Sequence, residues 1–116
     1  TVATDLNNLA QLLKATNRLA EAEPLMRRAL AIDEASLGAD HPDVARDLNN
    51  LAQLLQATNR LVEAEPLMRR ALAIFIESLG LDHPSSQVVR GNYIALLQAM
   101  GRTDDEISAK LASLHG

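Results

Sequence analysis

Thr4, Asn7, Gln11 and Lys14 stand at i, i+3, i+7 and i+10, and Arg46, Asn49, Gln53 and Gln56 repeat that series 42 residues later. On a helix this spacing puts all four side chains of each set on one face. Their chemistry is recognition rather than catalysis: an amide both donates and accepts, and a peptide backbone offers one donor and one acceptor at each residue. A face that merely meets solvent is the alternative, but such faces are usually rich in Glu and Lys, and this one is mainly Asn and Gln. Further along, Val88, Gly91, Ala95 and Gln98 occupy the corresponding places, so this face becomes less polar toward the C-terminus and would suit an apolar ligand side chain.

Other reactive residues are few. His41 and His83 each lie in an Asp-His-Pro triplet one period apart, too far from each other to share a metal, and His115 is at the tail; these histidines are read as turn residues. The chain has no Cys, which removes thiolate ligands, thiol nucleophiles and disulfides. No Gly-rich phosphate loop, Ser-His-Asp arrangement or HExxH segment occurs. Asp104, Asp105 and Glu106 are accounted for by the dipole of a helix that starts there. No cofactor, no metal and no catalysis are therefore expected, and an enzymatic role would need chemistry from outside this chain. A net charge of −4 without a basic stripe argues against nucleic acid. No apolar run approaches the roughly 18–20 residues that span a bilayer. The sequence opens at Thr1 without Met and without a secretory pattern, which reads as a piece excised from a cytoplasmic protein.

These side chains need elements to carry them. Residues 1–42 and 43–84 are identical at 34 of 42 positions, and a third, diverged copy begins near Ser85. Self-similarity at this period signals a solenoid in which each unit buries its apolar face on the next. Aromatic residues make up only 2% of the chain while Ala and Leu abound, so narrow helix–helix contacts are expected. Within a copy, Leu6, Leu9, Ala10 and Leu13 define a first helix, ending near Asn17 in a left-handed turn. In the second copy that helix spans about Pro42 to Ala57, with a capping side chain from Asp40-His41 and proline in the first turn. Ala22, Leu25, Met26, Ala29, Ile32 and Ser36 define a second helix ending at Gly38. Pro24 and Pro66 are placed four or five residues into it. Three to four residues join the two helices, which makes them an αα-hairpin.

Leu9-Ala10, Leu13, Asn17, Leu19, Ala22, Met26 and Ala29 at these spacings resemble the tetratricopeptide repeat (TPR). LNNLA, EAEPLMRRALAI and SLGADHPDVA on a 42-residue period resemble the longer repeats of kinesin light chain. The resemblance covers residues 1–102. It implies an all-α fold of αα-hairpins stacked as a right-handed solenoid, with a concave groove lined by the first helix of each hairpin. It also implies a function: binding a protein or peptide partner in that groove, through Thr4, Asn7, Gln11, Lys14, Arg46, Asn49, Gln53, Gln56 and Gln98. Asn7 and Asn49 are expected to point into the groove, and Asn8 and Asn50 to bond within the stack. One array of three units is expected: 1–42, 43–84 and a diverged or capping unit 85–116. In the last unit Glu106 and Lys110 stand where Ala22 and Met26 stand in the first, and Thr103-Asp104-Asp105-Glu106 reads as a capping box.

Two differences between the copies matter most. Asp33 and Glu34 become Phe75 and Ile76, whose apolar surface is expected to be covered by the terminal stripe Ile107, Leu111 and Leu114. Leu6, Leu9, Leu12 and Leu13 match Leu48, Leu51, Leu54 and Leu55, although no helix precedes them to be packed upon. These four leucines, with Phe75 and Ile76, are candidates for self-association into a homo-oligomer. An alternative function follows, a structural spacer that assembles through uncapped stacking faces.

Overall fold

The computed structural model describes residues 1–114; His115 and Gly116 lie outside the described residues. Its elements are α1 (Val2–Ala15), α2 (Leu19–Leu37), α3 (Pro42–Ala57), α4 (Leu61–Leu79), α5 (Pro84–Ala99) and α6 (Asp104–Ser113). Local chemistry sets most of the boundaries. Asn17 and Asn59 take φ of 61° and 60°, the left-handed conformation that turns each hairpin within a few residues. The backbone N–H of Asp43 donates to Nδ1 of His41 at 3.0 Å, and that of Ser85 to His83 at 3.1 Å. The histidines, and not the aspartates before them, are therefore the capping side chains, followed by Pro42 and Pro84 at the first helical position. Thr103 and Glu106 form a reciprocal capping box at the start of α6.

Pro24 and Pro66 lie deeper than expected. With α2 starting at Leu19 and α4 at Leu61, each is the sixth residue of its helix. Each leaves the carbonyl four residues back without an intrahelical donor. The carbonyls concerned belong to Ala20 and Val62, both exposed residues, where solvent can supply the missing donor.

Consecutive helices pack side by side, α1 on α2, α2 on α3, and onward to α6, giving an elongated stack of 39 × 29 × 20 Å. Ala10, Ala22, Ala52, Ala64 and Ala71 are fully buried where helices cross, while Leu48, Leu51, Leu54, Leu55, Met26 and Met68 fill the spaces between. Neighbouring hairpins are also tied by charge. Arg60 donates to Glu23 of the preceding hairpin and, at 2.7 Å, to Glu63 of its own. Arg70 reaches Glu34 at 3.2 Å and the Ala39 carbonyl at 3.1 Å. The Tyr93 hydroxyl donates to Glu65 at 2.9 Å, so burial and this bond raise its pKa.

The terminal helix is short, and its buried residues are Ile107 and Leu111, each one position later than Ala22 and Met26 in the repeat register. Helix α6 has thus slid by one residue. Phe75 is not covered as expected. It shares a cleft wall with Pro84, Ser85, Val88 and Val89 of α5. The topology explains this: the C-terminal half of α4 lies beside the start of α5, whereas Ile107 follows the turn at the far end of α5.

Candidate functional site

Helices α1, α3 and α5 are the first helices of the three hairpins and share one polar side of the stack. Thr4, Gln11, Arg46 and Gln98 are exposed there, as are Val88, Gly91 and Ala95; Lys14, Asn49, Gln53 and Gln56 are half-buried. Eight of the nine residues read from the sequence as groove-lining are therefore accessible. The ninth is not. Asn7 is only 6% exposed, and its Nδ2 donates to Oδ1 of Asp47 at 2.6 Å. It belongs to the seam between the first two hairpins and not to an open wall.

The two asparagine positions thus differ from their expected roles. Asn7 bonds within the stack, while Asn8 is exposed. Asn49 does both kinds of work: it faces the cleft, and its Oδ1 accepts from Nδ2 of Asn92 at 3.4 Å. Repeat-identical residues diverge here because the side chains opposite them differ. Asn7 meets Asp47, but the position one period after Asp47 is Val89, which cannot accept a bond.

The cleft between α3, α4 and α5 has a volume of about 280 Å³. Arg46 and Asn49 form its polar side, and Phe75, Pro84, Val88 and Val89 its apolar side, with Ser85 at the start of α5. A site that combines an apolar floor with a few convergent polar groups is suited to holding a side chain and orienting the backbone that bears it. The contributions of Phe75, Pro84, Ser85 and Val89 were not read from the sequence. Only the change of Asp33 to Phe75 and the absence of Asp at position 89 signalled them.

The self-association candidates separate into two groups. Phe75 is 7% exposed, Leu13 is buried and Ile76 is half-buried against the core, so these three serve the core and offer no free stacking face, while Leu6 is half-buried on α1. Leu9 and Leu12 remain, 47% and 62% exposed, although their counterparts Leu51 and Leu54 are completely buried. The difference is the presence of α2 against α3.

Among the described residues no group of three or more His, Asp or Glu is placed to hold a metal ion, and no helix is long and apolar enough to cross a membrane.

Antiparallel helix pairs, small residues at their crossings and a shared face of amides define a helical-repeat scaffold of the kind that holds other proteins. The tetratricopeptide repeat family matches residues 1–77, and the chain belongs to that family. Tetratricopeptide repeats mediate protein–protein interaction and typically form non-catalytic scaffolds. Among solved structures, a protein of Podosopora anserina described as a kinesin light chain with nearly identical TPR-like repeats is similar, with 25% identity and a TM-score of 0.80. The match covers 96% of this chain and 52% of that one. BtubC (BKLC) from P. vanneervenii shares the fold at a TM-score of 0.82 and 22% identity, over 97% of this chain and 44% of that one. The chain thus spans about half the length of these structures, and its repeats are similar to the kinesin-light-chain type. No curated protein matches the chain.

Proposed function

We propose that this chain is an interaction module that takes a segment of a partner protein along the face shared by α1, α3 and α5. The observation that carries this reading is the cleft where Arg46 and Asn49 oppose Phe75 and Val88. Arg46 and Gln53 supply hydrogen-bonding groups beside it, Thr4, Gln11, Lys14 and Gln56 extend the polar track toward α1, and Gln98 closes the other end. A ligand would set an apolar side chain into the cleft and pair its backbone with the amides. The three units act as one array, with the last closing the stack, in a cytoplasmic parent protein.

The test is a peptide-library selection on the 116-residue chain, counter-screened with Arg46→Ala/Gln53→Ala. These two residues lack the stacking bond of Asn49, so their loss reports the groove and not the fold. Enriched peptides that lose binding to the variant support the reading. Enrichment indifferent to the variant would overturn it.

A second reading rests on Leu9 and Leu12. Because α2 covers their counterparts on α3, the exposed side of α1 fits another helix of the α2 kind, and the chain would then act as a spacer that assembles end to end. Sedimentation from micromolar to millimolar concentration tests it: growing mass favours the spacer, and a strict monomer excludes it.

A further inference from the structure

At the junction of the first two hairpins three polar side chains converge from three helices: Asn7 of α1, Asp33 of α2 and Asp47 of α3. Asp47 is 1% exposed and Asp33 is 7% exposed. Asp33 lies within hydrogen-bonding reach of Asp47. The Asn7 amide satisfies Oδ1 of Asp47, but Oδ2 of Asp47 and Oδ1 of Asn7 are buried without a partner. Neither carboxyl group forms a salt bridge among the described residues. The groups that face Asp47 are Asn7 from α1, Asp33 from α2 and, on α3 itself, Arg46, which sits 4.0 Å from Asp43; no charged group of α4 is among them. Two adjacent buried carboxylates without a counter-ion repel each other in a medium that screens poorly. One proton removes the repulsion and turns Oδ2 of Asp47 into a donor toward Asp33.

The next junction is an internal control. One period on, Asp33 is replaced by Phe75, Asp47 by Val89, and Asn7 by Asn49. At that place in the stack Phe75 and Val89 stand where the two carboxyl groups stood, so no pair of acids meets there.

We propose that the first hairpin junction is a proton-binding site: a proton shared by Asp33 and Asp47 fastens α2 to α3, and its loss loosens the first hairpin from the second while the second junction stays unchanged. Burial, and then Asp33, raise the Asp47 carboxyl to about 7, against the opposing pull of Asn7 and Arg46. Physiological pH then lies on the titration itself, so small changes in acidity alter how firmly the array holds its leading hairpin.

The experiment compares urea unfolding of the wild-type chain, Asp47→Asn and Asp33→Phe/Asp47→Val at pH 5.5 and pH 8. The double variant copies the residues of the second junction, and Asp47→Asn keeps the shape of the protonated group. Wild-type protein should show an unfolding constant that rises about tenfold more between the two conditions than that of either variant. Equal pH responses would overturn the proposal. Carbon-13 titration of the wild-type aspartate carboxyls gives a reading independent of whether the variants fold. A carboxyl titrating near neutrality supports the shared proton, and aspartates that all titrate near their ordinary value exclude it.

Discussion

Asn7 and Asp47, forty positions apart and on the first and third helices, are joined by a buried 2.6 Å hydrogen bond that links the leading hairpin to the next. The bond uses one asparagine of a sequence present twice, and its repeat-mate, Asn49, turns toward a cleft instead. Two copies of one sentence therefore have different physical duties, decided by what stands opposite.

Removing the Asn7 amide should cost more than removing the Asn49 amide. Asn7→Ala leaves Asp47 buried with no donor, a loss of about 1–3 kcal/mol. Asn49→Ala loses a half-buried, 3.4 Å bond to Asn92 and should cost less than about 1 kcal/mol. Paired urea-unfolding curves measure the difference; a reversed order would contradict the seam assignment.

Phe75→Ala should destabilise the chain by about 3–5 kcal/mol, since a nearly buried aromatic ring is lost from a packed wall and leaves space behind. The same change enlarges the cleft. Thermal melting gives the first effect, and a cost below about 1 kcal/mol would show that Phe75 is not part of the core.

The pH profile of stability should peak on the acid side of neutrality. Asp47 is raised from 3.8 to about 7, chiefly by burial, so its contribution is present below about pH 4 and is lost as pH rises through about 7. A displacement of that size corresponds to on the order of 4 kcal/mol. Glu23 acts at the other end. Burial opposes its ionisation, but Arg60 and Arg27 prevail and hold it below its ordinary 4.5, so its contribution is present above that value and is lost as pH falls through the folded one. Melting temperature measured from pH 3 to pH 9 should pass through a maximum near pH 5; a maximum above pH 7 would refute the assignment for Asp47.

Leu9→Glu/Leu12→Glu should leave the monomer's stability within about 0.5 kcal/mol of wild type, since both side chains are largely exposed. If the chain associates through α1, the same variant should abolish that association in sedimentation. Persistent association would place the contact elsewhere.

Arg46→Ala/Gln53→Ala should weaken any groove-selected peptide by at least about tenfold, the loss of one or two charge-assisted or amide bonds. Circular dichroism should show the helicity unchanged. Peptide affinity that survives the double change would remove the α3 face from the binding site.

What the sequence determined by itself was periodic and local. The 42-residue repeat, the helical spacing of Leu9, Leu13, Ala22 and Met26, the left-handed asparagines and the capping box at Thr103 are all short-range features, so helix number and hairpin pairing are legible in the sequence. The tertiary structure decided what period alone leaves degenerate. It placed Asn7 in a seam and Asn49 at a cleft, exposed Leu9 while burying Leu51, and shifted α6 by one residue so that Ile107 and Leu111 meet the core. It also set Asp33 against Asp47, though Asp5, identical in repeat position to Asp47, is exposed on α1. The physical reason is common to all these cases: in a solenoid the environment of a residue is supplied by the neighbouring unit, and identical residues meet different neighbours.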